Sequence, residues 1–299
     1  MTMNSTSPRT AASVPAAAHP GKPPGAGKWP KMLLFVFMST IASMQLFPLI
    51  WLADYSLLKS GDFFGSSFLK WPDPPQWENY INAFTYGRVP RYFFNSLLIT
   101  TITVVVSAVF ALMMGYAFTR MNWKLRGTVL NLIMLGMIIP IHATLLPNFI
   151  LFNKLGMLNN MFTLILPYIA FSIPISMFIM TGFLETIPRS IEESAVMDGC
   201  GVFGVVFRII LPITKPAIAT VSVLNFISCW NEFIMANTFI TSEKLKTIPF
   251  SIMKFAGEYS SNYGAQFAVM TMIALPTILI YLLFTEQMAR GITAGAVKG

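Results

Sequence analysis

The chain contains 299 residues, of which 55% are hydrophobic and only 11% are charged, and its formal net charge is +8. A soluble domain usually carries about 25% charged residues, so this composition excludes an ordinary soluble domain and indicates an integral membrane protein. On such a protein an excess of Lys and Arg reports orientation, and no phosphate-binding motif in the sequence points to nucleic acid as a partner.

Residues 1–30 are rich in Ala, Pro, Gly and Ser and end in GKPPGAGKWP. A segment of this composition cannot bury enough apolar surface to offset the entropy lost on ordering, so we predict a disordered cytoplasmic tail. The apolar run that follows is longer than the roughly 7–15 apolar residues of a cleaved signal peptide. It therefore predicts a first span that stays in the mature protein.

Six apolar runs follow the tail, and each can supply the roughly 20 residues that cross a hydrocarbon core about 30 Å thick. Apolar residues are continuous in these runs rather than alternating, which predicts helices and not a barrel. The sequence thus predicts an all-α membrane protein. Its six transmembrane helices are expected at about residues 32–53, 94–119, 127–152, 161–184, 217–241 and 264–285.

The charges of the short loops predict the orientation of these spans. The segment RMNWKLR, residues 120–126, follows the second predicted span and is strongly basic, whereas KLGMLNN, residues 154–160, carries one cation. Because basic short loops face the cytoplasm, and because an even number of spans places both termini on one side, we expect cytoplasmic N- and C-termini. The connector at residues 185–215 is then cytoplasmic as well.

This connector contains the segment SIEESAVMDGCG, residues 190–201, which places three acids and two glycines between two apolar stretches. Ser190 followed by Glu193 fits a capping box, and Gly199 or Gly201 can supply the left-handed residue that ends a short helix. We therefore predict a short projecting helix capped at Ser190. Two interpretations of Glu193 stay open on this evidence, a helix cap and a contact with a partner.

The same connector resembles the cytoplasmic signature of the permease subunits of binding-protein-dependent ABC importers. The nearest likeness is to the carbohydrate-uptake permeases of the maltose type, and specifically to their second permease. The spacing of the signature is kept in Glu193-Ser194-Ala195, Gly199, Ile209 and Leu211-Pro212, with Ser194 standing where the family usually has Ala. Further segments resemble the family in order along the chain, namely WENYINAF, FFNSLLIT, LGMLNN, CWNEF and TAGAVKG.

The resemblance implies that residues 31–299 form a type I importer permease domain in the bacterial cytoplasmic (inner) membrane. The short helix would be a coupling helix, and its contacts with a cytoplasmic ATPase subunit would come from Glu192, Glu193, Ser194, Ala195, Asp198 and Gly199. The implied partners are a second homologous permease, two ATP-binding subunits and an extracellular or periplasmic solute-binding protein. The chain itself would be non-catalytic and would hold no cofactor or metal, because ATP and Mg would be used by the ATPase.

Two further groups of residues are candidates for function. Gly295 and Ala296 resemble the C-terminal tail that contacts the ATPase subunits in maltose-type relatives. Trp230, Asn231 and Glu232 are candidates for the solute pathway, since an ionisable group inside a span is a functional candidate and an aromatic ring suits a sugar face. Packing of Glu232 within the bundle is the other interpretation.

The main prediction is therefore a permease subunit of an ATP-driven importer of a sugar, oligosaccharide or polysaccharide. The alternative is an ion-coupled secondary transporter of a small polar solute, for which paired carboxylates or matching halves are expected; the sequence shows one acid within a span and no internal repeat. An intramembrane enzyme would require a nucleophile–base or metal constellation, and no such pattern occurs in the sequence.

Overall fold

A computed structural model describes residues 28–64, 70–257 and 261–296. Throughout these ranges the chain is helical or irregular and forms no β-strand, which confirms the predicted all-α class. Most of the predicted tail lies outside the described residues. Its last three residues, 28–30, already belong to the first helix.

The helices of the first part of the chain are α1 Lys28–Tyr55, α2 Glu78–Thr85, α3 Val89–Arg120, α4 Arg126–Leu135, α5 Leu145–Lys154, α6 Phe162–Glu185 and α7 Arg189–Met197. Those of the second part are α8 Val202–Gly204, α9 Leu211–Ile213, α10 Lys215–Trp230, α11 Ile234–Phe239, α12 Phe250–Met253 and α13 Tyr263–Ala296. A π-helical stretch, Val205–Ile210, joins α8 to α9.

Four of these helices, α1, α3, α6 and α13, are long and apolar enough to cross a membrane without a break. Two further candidate spans are bent pairs of helices. Arg126–Ile138 and Ile141–Lys154 meet at 94°, and Val202–Ile213 meets Lys215–Trp230 at 77°. Pro140 stands at the first break, where its missing N–H and its ring disfavour a continuous helix. The predicted fifth span, 217–241, is interrupted because α10 ends at Trp230.

The described part of the chain divides into two compact units, with the division between Leu49 and Ile50. Within the second unit α3 packs along α6, and α10 packs against both α13 and α3. The helices α3 and α6 approach each other closely at Gly115, where an added Cβ would lie 2.9 Å from Met180 Cγ. A side chain at this position would therefore push the two helices apart.

Two apolar cores hold the second unit together. The larger core joins α3, α6, α10 and α13 around fully buried side chains such as Tyr92, Trp230 and Phe239. The smaller core lies where α3 and α6 meet the 185–215 connector and includes Leu184 and Ala195. The connector is thus packed on the helix bundle and shares its apolar core.

The loop between α11 and α12 is fastened to the start of α3 by Glu243. This carboxylate pairs with Lys246 Nζ at 2.9 Å and Lys254 Nζ at 2.8 Å, and it accepts a hydrogen bond from the Tyr92 hydroxyl. Beside it, Asn95 Nδ2 donates to the carbonyl of Lys246 at 2.8 Å. The bonds from Lys246, Lys254 and Tyr92, in that order of importance, lower the pKa of Glu243 to about 2.

The Glu243→Gln variant is expected to lower the melting temperature of the purified protein at neutral pH. Because the folded-state pKa of about 2 lies below the ordinary value of 4.5, this stabilisation is complete above about pH 4.5 and is lost as the pH falls towards 2. The difference between wild type and Glu243→Gln should therefore shrink over that window. Since the carboxylate is 40% exposed, salt should reduce the difference as well.

The matched control is Asp62→Asn, which removes one partner of the exposed 2.7 Å ion pair with Lys70. An isolated exposed pair contributes little to stability, so this variant should melt close to wild type at every pH. A melting difference for Glu243→Gln that does not change with pH would contradict the assigned role of the carboxylate.

Candidate functional site

The helix α7 begins at Arg189, two residues earlier than a cap at Ser190 predicts. Pro188 occupies the N-cap position in an extended conformation, with ψ at 134°, and no side chain caps the helix. Ser190 lies inside the first turn, where its carbonyl accepts a hydrogen bond from Ser194 Oγ at 2.9 Å. The predicted capping box is wrong, because the proline sets the boundary and places Ser190 beyond the capping position.

The end of α7 is a left-handed turn at Gly199, with φ at +86°. The N–H of Cys200 donates to the carbonyl of Ala195 and the N–H of Gly199 to that of Val196, both at 3.0 Å. This pair of bonds is the Schellman arrangement, which closes the final turn of a helix. Gly199 is therefore confirmed as the turning residue, whereas Gly201 has φ at −71° and needs no glycine for its conformation.

One face of α7 is buried against the helix bundle through Glu192 and Ala195. The Glu192 carboxylate lies 2.7 Å from Arg120 Nε at the end of α3, and both side chains are about nine-tenths buried. Arg120 Nη2 also donates to the carbonyls of Leu184 at 2.8 Å and Ile187 at 2.7 Å, just where α6 ends. One guanidinium thus joins α3, α6 and α7.

This geometry divides the residues that the sequence assigned to contacts with an ATPase. Glu192 and Ala195 face the chain's own core, so we remove them from that set. Sequence reasoning also missed Arg120, which it counted only as a charge that reports orientation. The sequence did contain a signal that Glu192 and Ala195 act together, because their three-residue spacing places both on one helical face.

The opposite face of α7 is exposed and carries the remaining predicted residues, Glu193, Ser194, Asp198 and Gly199. Apolar side chains accompany them, among which Met197 is 89% exposed and Phe203 is 70% exposed. Large apolar side chains grouped beside acids on a connector are typical of a protein-binding surface. We call this surface the connector face and define it by Glu193, Ser194, Val196, Met197, Asp198 and Phe203.

A second candidate site is a cavity of about 300 Å³ between α6, α10 and the break in the third span. Glu232 lies at its edge, in the irregular segment between α10 and α11. The carboxylate accepts hydrogen bonds from the backbone N–H of Met235 at 2.7 Å and of Ala236 at 3.2 Å, as well as from the Tyr168 hydroxyl. These contacts fix Glu232 at the start of α11 and leave it lining the cavity.

The two residues that precede Glu232, Trp230 and Asn231, do not line this cavity. Trp230 is only 1% exposed; it stacks on Phe226, and its Nε1 donates to the carbonyl of Ile273 at 3.1 Å. Asn231 bonds back to the carbonyl of Ile227 in its own helix at 2.9 Å. The interpretation of Trp230 as a pathway residue is wrong, because its ring packs in the larger apolar core.

The predicted tail contact falls at the end of α13. The backbone of Gly295 and Ala296 belongs to this helix, and their side-chain surroundings lie outside the described residues. Within the described ranges, His, Cys, Asp and Glu side chains form no cluster that could hold a metal ion. The absence of a metal from this chain stays a prediction.

Comparison with known proteins identifies the family. Residues 107–293 match the model of the family described as "Binding-protein-dependent transport system inner membrane component". The "Probable ABC transporter permease protein YurM" of Bacillus subtilis (strain 168) is 34% identical over 270 residues, which cover 90% of this chain and 87% of that protein. The "Sulfoquinovosyl glycerol transport system permease protein SmoH" of Agrobacterium fabrum (strain C58 / ATCC 33970) is 30% identical over 269 residues, covering 90% and 94%.

A solved structure has the same fold. A chain of a bacterial ABC transporter involved in the import of the acidic polysaccharide alginate superposes with a TM-score of 0.74 at 22% identity, covering 88% of this chain and 99% of that one. The fold is therefore that of an ABC importer permease, as the sequence predicts. The chain belongs to the family of binding-protein-dependent transport system inner membrane components. It is a multi-pass membrane subunit of an ABC transporter and not an enzyme.

The Arg120–Glu192 pair generates a stability prediction. Removing one partner of a buried ion pair leaves the other charge buried and unpaired, which destabilises a protein by roughly 3–5 kcal/mol. The Glu192→Ala variant should therefore unfold at a markedly lower temperature than wild type. The neighbouring variant Glu193→Ala is the control, because substitutions at exposed positions usually change stability by about 0.5 kcal/mol or less. Equal melting temperatures for the two variants would contradict the assignment of Glu192 to the helix junction.

Proposed function

We propose that this chain is the permease subunit of an ATP-driven importer, and that it receives its driving force through the connector face. The observation that carries the proposal is the division of α7 into two faces. Glu192 and Ala195 hold the helix on the bundle, while the adjacent Glu193 and Asp198 are left exposed together with Met197. Residues that match the spacing of the family signature are thus accessible on a helix that is fixed to the bundle.

The proposed partner of the connector face is a cytoplasmic ATP-binding subunit. Its matching surface would supply cations or backbone N–H groups to Glu193 and Asp198, and an apolar contact to Met197 and Phe203. ATP and Mg would be used by two such subunits, and this chain would bind no cofactor. Gly295 and Ala296, at the end of α13, would add a second contact with the same partners.

The arrangement of α7 favours transmission of motion to the spans. Because Arg120 bonds to Glu192 and to the carbonyls at the end of α6, a displacement of α7 must move α3 and α6 with it or break a buried ion pair. An element with two alternative positions that both sites bias is the physical basis for coupling between them, and α7 would be that element. Closure of the ATPase subunits would in this way switch the permease between outward- and inward-open forms.

The remaining partners follow from the family. A solute-binding protein would deliver the solute from outside, and a second homologous permease would complete the pathway. The names of relatives for arabinooligosaccharides, trehalose/maltose and galactooligosaccharides support a sugar or glycoside as the solute class. In the proposed orientation both termini and the 185–215 connector face the cytoplasm of a bacterium. Membership of a family that depends on a binding protein disfavours the ion-coupled secondary transporter.

The Glu193→Lys variant tests the proposal. Reversing this charge at the centre of the connector face should abolish solute uptake and release the ATP-binding subunits during purification, while the spans stay inserted. The measurement is co-purification of all subunits together with uptake of radiolabelled solute in cells. Glu78→Lys, which reverses an exposed acid on α2, is the control and should retain the ATP-binding subunits. Normal uptake by Glu193→Lys would refute the proposed role of the connector face.

A further inference from the structure

The cavity of about 300 Å³ lies where two interruptions of the helix bundle meet. Ile139 and Ile141 on its wall flank the break in the third span, and Glu232 belongs to the irregular segment after α10. In a membrane, non-helical backbone is tolerated only where protein buries it or where it lines a water-filled cavity. Discontinuous helices that meet at one point are also where membrane transporters place solute sites.

The position of the cavity along α6 places it in the middle of the bundle. This helix has 24 residues, Phe162–Glu185, and is therefore about 36 Å long at about 1.5 Å per residue. Ser172, which lines the cavity, stands roughly 15 Å from the first residue of the helix by the same rise. The cavity thus reaches close to the midpoint of a helix long enough to span the membrane.

The wall of the cavity combines hydroxyl, amide and carboxylate groups with apolar surface. Its polar members are Tyr168, Ser172, Asn225, Ser228 and Glu232. The rest of the lining consists of Gly136, Met137, Ile139, Ile141, Phe171, Ile175 and Cys229. A few placed polar groups on a mainly apolar wall are typical of small-molecule sites. This mixture suits a polyol, whose hydroxyl groups need hydrogen-bond partners and whose carbon faces pack on apolar side chains.

Glu232 gives this wall a negative charge. Among the described residues that line the cavity, none is Lys or Arg. Two backbone N–H groups and the Tyr168 hydroxyl occupy three of the roughly four acceptor positions of a carboxylate. One position therefore remains for a hydroxyl group of the solute. An anionic group in the same place would instead meet an unneutralised carboxylate.

We propose that this cavity is a hydroxyl-binding subsite on the solute pathway that admits uncharged polyol segments and disfavours anionic ones through Glu232. The proposal rests on the proposed import function, since it assumes that solute passes along this chain. It adds a selection by charge within the membrane, after the solute-binding protein has made its own choice.

Cysteine labelling tests the proposal without knowledge of the solute. The two native cysteines are first removed from the assembled transporter by Cys200→Ser and Cys229→Ser, and Ser228→Cys is introduced as the reporter. The reporter is then reacted separately with two methanethiosulfonate reagents, one with a cationic trimethylammonium group and one with an anionic sulfonate group. Both reagents should label it, and Glu232→Gln should lower the ratio of cation to anion rates by about fivefold or more, as expected for one charge a few ångströms away. The control is Ser222→Cys on the same helix, which lines a separate apolar groove and should stay unlabelled.

Each outcome decides the proposal. No labelling of Ser228→Cys by either reagent would show that the cavity is closed to water and would overturn the subsite. A rate ratio that Glu232→Gln leaves unchanged would overturn selection by charge. If Glu232→Gln does not assemble, the same ratio is measured at low and high salt with Glu232 present, and a ratio independent of salt overturns the selection. The import function is tested separately, by subunit co-purification and solute uptake with Glu193→Lys, and neither test uses cysteine labelling. Failure of the subsite is therefore distinguishable from failure of the import function.

Discussion

The ion pair between Arg120 and Glu192 is the interaction on which the arrangement of the connector depends. Burying two charges is unfavourable unless they are paired and their remaining hydrogen-bonding groups are satisfied. Here the guanidinium is paired with Glu192 at 2.7 Å, and its Nη2 also donates to the carbonyls of Leu184 and Ile187 at the end of α6. Those carbonyls lie at a helix terminus, where backbone acceptors need partners from outside the helix. The pair therefore satisfies the end of α6 and places α7 at the same time.

With α7 held in this way, one of its faces is buried against the bundle and the other is exposed. Ala195 belongs to the smaller apolar core and Glu192 pairs with Arg120, so both residues hold α7 on the bundle. Glu193, Met197 and Asp198 on the other face are free of the bundle and available to a partner. In the middle of the spans, the breaks beside Ile139 and Glu232 open a cavity that a straight helix could not form. A connector fixed to the bundle and interrupted spans both fit the alternating pathway that we propose.

The sequence predicted the helical class, the family and the turn at Gly199, because each depends on local patterns or on spacing along the chain. Continuous apolar runs reveal spans whatever their packing, and a left-handed residue at the end of a helix is most often glycine. The capping box at Ser190 failed because Pro188 fixes the helix boundary through its own backbone geometry. The spacing of Glu192 and Ala195 places them on one helical face, but the burial of that face could not be predicted, because its partner Arg120 lies about 70 residues earlier in the chain. The prediction that Trp230 lies on the solute pathway failed for a similar reason, because hydropathy does not distinguish the wall of a cavity from a packed core.

Photo-cross-linking from the connector face tests the central claim most directly. A photoreactive benzoylphenylalanine in place of Met197 would be irradiated in the purified transporter, and the same amino acid in place of Trp71, which is equally exposed at 85%, would serve for comparison. The account predicts that position 197 cross-links to the ATP-binding subunit and that position 71 does not. If position 197 cross-links to no ATP-binding subunit in a transporter that still imports its solute, the proposed docking of the connector face is contradicted.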